Sequence, residues 1–518
     1  MNERYRGPCL ALGLVMAWRL TLLVFTSQPI PENDAFLFDG AVVNWLLHGQ
    51  YFNPSLAEAF PISGHQVFAA YPPLYQVGVL FWMSVFGTSV LSALWMHLVM
   101  FGVAGLLAVT VIRSVFPVGP RYALAVLFLF GVTFDDRPEG LAHIFGLLTL
   151  WLTAQGLCGK VRGFAAEWGI ALALLGALYT SPIVGAFYFG AAFLTRAAAW
   201  FLGRQRIHFA AFVLVVALFA GITLFIARAY PLLWQGFLEN ARKTPVCNGF
   251  RIPAATEILK LGRTAPVFLI AIGLLPFLLT QRKRLLADAS GDIPWLSLTV
   301  GVAVMGTVML AAAMVLASPN YVMYVLFAQV LLTAGLLALG WRLAPGNRRG
   351  LWAALVCCLA LVSVRAVGMT TWGLACAADV SRSAAIQLVC GELDKSPPDS
   401  KVVLSSAFLY EAARHRQVTA IHEDWVQPAR RGQPEDFGGA LLRLRPAELI
   451  LTQFDYYRRY QPVLEDLKSR RELVEIELTN TARTPPPDAF KSFQKVVQHV
   501  SWAPVIVRFN WKYAAAGR

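Results

Sequence analysis

The chain has 518 residues, of which 57% are hydrophobic and only 14% are charged. That excludes an ordinary soluble globule of this length and makes the chain an integral membrane protein. The net charge of +14 does not indicate nucleic-acid binding, because the basic residues fall in short clusters between apolar runs rather than along one polar face.

The first apolar run covers residues 8–26, and the stretch "LTLLVFTSQPIPEND" that closes it has no persuasive small-residue cleavage site. The segment is therefore expected to stay as an anchor. Arg19 lies inside it; holding that charge at a bilayer centre costs about 2.5–3.5 kcal/mol, so it is expected to snorkel or to face the protein interior. Next comes "PENDAFLFDG", residues 31–40, with two acids close to a membrane boundary. Asp34 and Asp39 would be offset by about 140° on a helix. The local reading makes Asp34 the N-cap of a helix over Ala35 to His48 whose apolar face rests on the membrane. His65 follows in the same loop, as a plain polar loop residue or as a site residue. Residues 71–87, "YPPLYQVGVLFWMSVFG", open on Pro-Pro and fit either a span or an interfacial helix.

Further apolar runs lie near residues 89–115, 120–134, 140–157, 167–180, 183–202, 209–227, 264–280, 294–317, 321–341 and 350–372. The positive-inside rule decides the status of residues 71–87. If they do not span, one face collects Arg4, Arg6, Arg113, Arg121, Lys160, Arg162, Arg204, Arg206, Arg282, Lys283, Arg284, Arg342, Arg348 and Arg349. The expected topology is then about eleven spans, with the amino terminus cytoplasmic and the carboxyl terminus outside.

Three loops share the outer side: residues 27–71, the turn "TFDDRPEG" at 133–140, and residues 228–263. They are expected to converge on one site. In the second loop Asp136, Glu139 and His143 follow an i, i+3, i+7 spacing that places them on one helix face. Acids in a first turn also suit the helix macrodipole, so a structural role accounts for part of the pattern. Arg137 is positioned to pair with these acids or to bind a phosphate. In the third loop an amphipathic helix is followed by Arg242, Lys243 and Arg251, which fit an anionic lipid head group or plain solvated charges.

After residue 373 the texture becomes soluble, so the chain divides into a membrane domain, residues 1–372, and a carboxyl-terminal α/β domain, residues 373–518. Strands are expected at 401–406, 447–453, 472–479 and 503–511, with helices at 379–393, 406–414, 435–444 and 460–470. No Gly-rich phosphate fingerprint, zinc spacing or nucleophile elbow occurs there. If residues 376–390 form one helix, Cys376 and Cys390 stand about 21 Å apart, too far for a disulfide. A bridge from Cys247 to either one stays open.

These residues resemble the GT-C superfamily of membrane glycosyltransferases that use polyprenyl-phosphate sugars, with the lipid A aminoarabinose transferases and protein O-mannosyltransferases as the nearest groups. The resemblance is carried by an acid after the first span, a helix ending in "LLHGQYF", then "YPPLY", then the acidic "DDRPEG" at the next outer turn. It implies a polytopic helical membrane enzyme of GT-C type, with juxtamembrane helices and an extracytoplasmic α/β domain, in a bacterial inner membrane. It also implies that Asp34, about fifteen residues before Gly49, is the catalytic carboxylate. Arg137, Pro138 and Glu139 would form the second acidic motif, and residues 231–241 a further juxtamembrane helix.

The expected reaction moves a sugar from a polyprenyl-phosphate donor to a lipid, glycan or protein acceptor with inversion, an oxocarbenium-like transition state and a departing phosphate. Asp34 would act as base. Glu139 and Asp136 would orient the acceptor or a divalent cation, which the carboxylates permit without requiring. Arg137, Arg242, Lys243 and Arg251 would hold the phosphate, with Asp39 and His65 as further substrate contacts. The rival reading is a transporter or lipid-linked-sugar flippase, in which charges line a path at the midplane. The acids here cluster at one surface instead, and no inverted repeat is visible.

Overall fold

The computed structural model describes residues 6–27, 34–117, 119–132, 137–161, 163–203, 209–243, 252–254, 256, 265–280, 293–316, 324–342, 345–377, 380–415, 417–426, 436–471, 473–481 and 502–512. Among them, seven helices are long and apolar enough to cross a membrane. They include α1 (Arg6–Thr26), α5 (Val90–Val115), α7 (Glu139–Leu157), α9 (Pro182–Gly203) and α10 (Ala210–Ala229), followed by Ile293–Val315 and Pro345–Ala377. Four further predicted runs form shorter apolar helices: Pro120–Gly131, α8 (Phe164–Thr180), Pro266–Thr280 and Ala328–Arg342. The eleven expected apolar segments are thus all helical, and the chain is an integral multi-pass membrane protein.

Large apolar side chains such as Leu10, Leu14 and Phe25 of α1 and Val213, Val216 and Phe225 of α10 point outward, as lipid-facing positions must. The inner faces close around Val15, Phe101, Leu147, Phe187, Val302 and Phe327. Helix association in lipid relies on close packing and hydrogen bonds rather than on water exclusion. Gly301 lets Ile293–Val315 approach α9 so closely that a Cβ there would lie 2.6 Å from the Ala191 carbonyl oxygen. The run at 120–134 is not one helix. It breaks into a 3-10 turn, Pro120–Tyr122, the short α6 (Ala123–Leu127) and a second 3-10 turn, Phe128–Gly131. Arg19 faces the interior here, donating to the Val132 carbonyl and lying 3.9 Å over the Phe101 ring, so its partner is a backbone oxygen and an aromatic face.

After the first apolar helix, α2 (Ala35–His48) ends at Gly49, whose φ of 73° admits the left-handed cap. The short α3 (Pro61–His65) and α4 (Leu74–Phe86) come next. At 13 residues α4 reaches about 20 Å, short of a 30 Å hydrocarbon layer. It turns Tyr75, Gln76, Val79 and Met83 inward and leaves the apolar Val77, Phe81 and Val85 exposed. The expectation that α2 rests on the membrane needs correction. Ala35, Phe36 and Phe38 to Asn44 are all buried, because the soluble domain covers the side that was to face lipid.

The carboxyl-terminal domain is a five-stranded sheet in the order β2-β1-β3-β5-β4: β1 (Ser400–Leu404), β2 (Val418–His422), β3 (Glu448–Thr452), β4 (Val474–Asn480) and β5 (Pro504–Trp511). β1 pairs in parallel with β2 and β3, while β5 runs antiparallel to β3 and β4. The four predicted strands are present within two residues; β2 was not anticipated. Residues 376–390 are not one helix, since the first helix ends at Ala377 and Ser381 caps a new one, Arg382–Leu393. The distance drawn from a continuous helix therefore does not apply, and Cys247 and the Cys376 side chain lie outside the described residues.

The sheet alternates its side chains between two cores, as a pleated strand must. Val403, Ile421, Leu449, Leu451, Val505 and Val507 pack under the helices Phe437–Leu444 and Gln461–Ser469. Val402, Leu404, Ala420, Ile450 and Ile506 face the other way, into a core shared with Phe36, Phe38, Val42, Tyr75 and Leu94 of the membrane domain. That common core fixes the soluble domain over α2. Around it, Trp502 Nε1 donates to the Thr26 carbonyl at 3.3 Å, and Lys401 and Arg443 both pair with Glu58.

Candidate active site

Asp34 occupies the N-cap position of α2, but its side chain makes no capping hydrogen bond. The expected local role is therefore not how the carboxylate is used. Its Oδ2 lies 3.0 Å from Nη1 of Arg137, and the Arg137 Nε lies 3.3 Å from Oε2 of Glu139. One guanidinium thus joins the first and second outer loops. Pro138 follows Arg137 as the N-cap residue of α7, which makes Glu139 the first helical residue and keeps Arg137 beside it.

Burial grades the three groups. The Asp34 side chain is 30% exposed, against 10% for Arg137 and 2% for Glu139, so Asp34 is the acid that a ligand can reach. Burial alone lowers the Arg137 pKa, but Glu139 and Asp34 more than reverse this and hold the group charged. Neither Glu139 oxygen accepts a hydrogen bond among the described residues, so its charge leans on Arg137. His143, one turn further along α7, makes a 2.9 Å contact from Nδ1 to the Tyr188 hydroxyl and lies 5.0 Å from the Phe327 ring. It shares the Glu139 side of α7 but belongs to the bundle interior.

Two tyrosines complete the cluster and were not anticipated as polar groups. Tyr71 opens "YPPLY" and is held against α2 by Phe38, with ring centroids 4.7 Å apart. Burial pushes its hydroxyl well above the ordinary range, with Glu139 and Tyr324 adding to the shift and Arg137 and Ser181 opposing it. Tyr324 is buried at the start of the segment leading into Ala328–Arg342. The position of the first tyrosine inside a quoted motif was the available signal; nothing in the sequence marked the second.

Asp39 lies elsewhere. It is wholly buried, with Oδ1 accepting from Tyr75 at 2.8 Å and Oδ2 accepting from Tyr410 of the soluble domain at 2.6 Å. Burial raises its pKa to about 7 against the opposing pull of the Tyr410 and Tyr75 hydrogen bonds. This arrangement fits a pin between two domains rather than the expected substrate contact. His65 is exposed and lines a separate cleft of about 460 Å³ with His48 and His415, between the first outer loop and the soluble domain.

The third outer loop begins with α11 (Pro231–Lys243), which docks on the first loop: Glu239 Oε2 accepts from the Ile62 amide at 3.2 Å, and Asn240 donates to the Ala70 carbonyl. The first of these loops therefore contacts both of the others. Arg242 is exposed near the end of that helix. Asp136, Arg251 and the Lys243 side chain lie outside the described residues. As a cation site the Asp34–Glu139 pair fits poorly, because Arg137 already stands between the two carboxylates and supplies the positive charge.

No family model matches the chain, and no curated protein matches it in sequence. Among solved structures, ArnT from Cupriavidus metallidurans bound to undecaprenyl phosphate aligns over 98% of this chain and 99% of its own, with 14% identity and a TM-score of 0.52. The apo form of that ArnT aligns over 96% and 97%, with 12% identity and a TM-score of 0.42. The archaeal oligosaccharyltransferase AglB from Archaeoglobus fulgidus, in complex with an inhibitory peptide and a dolichol-phosphate, aligns over 88% and 70%, with 10% identity and a TM-score of 0.47. At 14% identity the first likeness is one of fold, and it extends over both chains nearly end to end. The chain accordingly has a fold like that of this ArnT, and in this chain a bundle of apolar helices is followed by a small sheet domain at the carboxyl-terminal end.

Proposed function

We propose that the protein is an integral membrane glycosyltransferase that moves a sugar from a polyprenyl-phosphate donor to a lipid, glycan or protein acceptor. The observation that carries this reading is the reachable Asp34 carboxylate, fixed by Arg137 and tied through it to the buried Glu139. The fold shared with an ArnT bound to undecaprenyl phosphate supports the donor class. The basic clusters support an amino terminus in the cytoplasm of a bacterial inner membrane and a site on the opposite face.

In the proposed step an acceptor hydroxyl attacks the anomeric carbon while Asp34 takes its proton. The bond from that carbon to the donor phosphate oxygen breaks, and the polyprenyl phosphate leaves with the bonding electron pair. Attack opposite the leaving group inverts the anomeric centre. Arg137 holds Asp34 in place, Glu139 fixes Arg137, and Arg242, Lys243 and Arg251 together with Arg137 supply positive charge for the departing phosphate.

The test is transfer from a panel of radiolabelled polyprenyl-phosphate sugars to membrane acceptors, comparing wild type with Asp34→Asn in one detergent. Loss of about 10²- to 10⁴-fold in turnover, with donor binding retained, is expected for removal of a general base. Undiminished transfer would remove Asp34 from the chemical step. Absence of transfer by wild type with every donor would favour a transporter of lipid-linked sugars.

A further inference from the structure

A second group of ligand-type side chains sits in the soluble domain, outside the Asp34 cluster. His422 ends β2, and a 3-10 turn over Glu423–Trp425 follows at once. The turn folds three consecutive side chains together: one donor atom from each of His422, Glu423 and Asp424 lies within 4.8 Å of the others. His422 Nδ1 stands 3.5 Å from Glu423 Oε2 and accepts the Asp424 amide at 3.0 Å.

Proximity of such residues is not by itself a site, but Glu423 adds an independent observation. Its side chain is wholly buried, and neither carboxylate oxygen accepts a hydrogen bond from another described residue. A buried carboxyl group is ordinarily satisfied by donors or by a cation. The surroundings offer more acids than bases. Asp455, held by Ser405 at 3.0 Å and by Thr452 at 2.6 Å, acts on both Glu423 and His422. The opposing charge is Arg459, which is engaged at 2.8 Å with Oδ1 of Asp424, where Tyr460 also donates at 3.1 Å. Among the described residues, three carboxylates thus share one guanidinium, with Glu423 buried and Asp424 and Arg459 partly exposed.

We propose that His422, Glu423 and Asp424 bind a divalent transition-metal ion of the zinc or manganese class. One imidazole with two carboxylates is a mixed nitrogen and oxygen donor set that suits these ions. Nδ1 of His422 and Oε2 of Glu423 are the first two ligands, and the ion replaces the Asp424 amide at the imidazole. Three protein ligands leave further coordination positions open.

The test is titration of the purified full-length protein in detergent with Mn²⁺, followed by electron paramagnetic resonance. Wild type is expected to hold one ion per chain and to show nitrogen modulation from a bound imidazole. Glu423→Gln should weaken binding by about 100-fold or more, at or beyond the range seen for outer-shell partners. His422→Gln should abolish the nitrogen modulation. Glu139→Gln should leave both readings intact. Circular dichroism and thermal midpoints of the metal-free variants check that each is folded, and Zn²⁺ should raise the midpoint of wild type but not of Glu423→Gln. The proposal is overturned if wild type binds neither ion more tightly than about 1 mM, if Glu423→Gln binds as wild type does, or if the nitrogen signal persists without His422. Because the readout is binding, the result stands apart from the success or failure of the glycosyl-transfer assay.

Discussion

Arg137 joins two acids from different outer loops, with Nη1 3.0 Å from Asp34 and Nε 3.3 Å from Glu139. Removing the guanidinium leaves Glu139 as an uncompensated buried carboxylate, the costly half of a broken ion pair. Arg137→Gln is expected to lose about 3–5 kcal/mol. The double variant Arg137→Gln with Glu139→Gln should recover much of that loss. Thermal unfolding in a single detergent checks the cycle, and a double variant no more stable than Arg137→Gln would show that Glu139 is not the group left stranded.

Asp39 gives the soluble domain a pH-dependent attachment. Its folded pKa of about 7 lies above the ordinary aspartate value of 3.8, so the native state binds the extra proton. The associated stability is fully present below pH 4 and is lost as pH rises through about 7. Across that window the loss is on the order of 4 kcal/mol. Asp39→Asn should flatten the decline, and unfolding midpoints of both proteins at pH 5 and pH 8 measure it. A variant that declines as steeply as wild type would place the titration elsewhere.

Glu58 presents the contrasting case. It pairs with Lys401 at 3.4 Å and Arg443 at 2.9 Å, two half-exposed side chains of the soluble domain. Such pairs contribute roughly 0–1 kcal/mol because water and salt screen them. Glu58→Ala should therefore shift the unfolding midpoint far less than Tyr410→Phe, which removes a buried hydrogen bond to Asp39. Equal shifts would mean that the rim, rather than the Asp39 contact, holds the domain.

Gly301 and Gly221 separate two kinds of helical glycine. A Cβ on Gly301 meets backbone, 2.6 Å from the Ala191 oxygen and 2.7 Å from the Thr195 nitrogen, whereas one on Gly221 meets nothing within 4 Å. Gly301→Ala is expected to destabilise by about 1–3 kcal/mol, and Gly221→Ala to be neutral or slightly stabilising. Melting curves of the two variants decide this; similar midpoints would indicate that the helix pair separates without penalty.

By itself the sequence determined where the apolar helices lie, where four of the five strands fall, and that Asp34, Arg137 and Glu139 lie at the starts of helices. Those features follow from local composition and periodicity, because a span or a buried strand imposes its pattern on neighbouring residues. Long-range contacts leave no such trace. The capping role read for Asp34 came from its neighbours in the chain, while the tertiary structure gives the carboxylate to Arg137. The membrane-facing side read for α2 was hydrophobic in either case, and only the fold shows a soluble domain covering it. Asp39 read as a second site acid until Tyr75 and Tyr410 were found enclosing it. The short β2 escaped notice because five residues ending in a histidine carry little periodic signal, and with it went the convergence of His422, Glu423 and Asp424. Tyr71 and Tyr324 join the Asp34 cluster through packing, which brings together side chains that no spacing in the sequence relates.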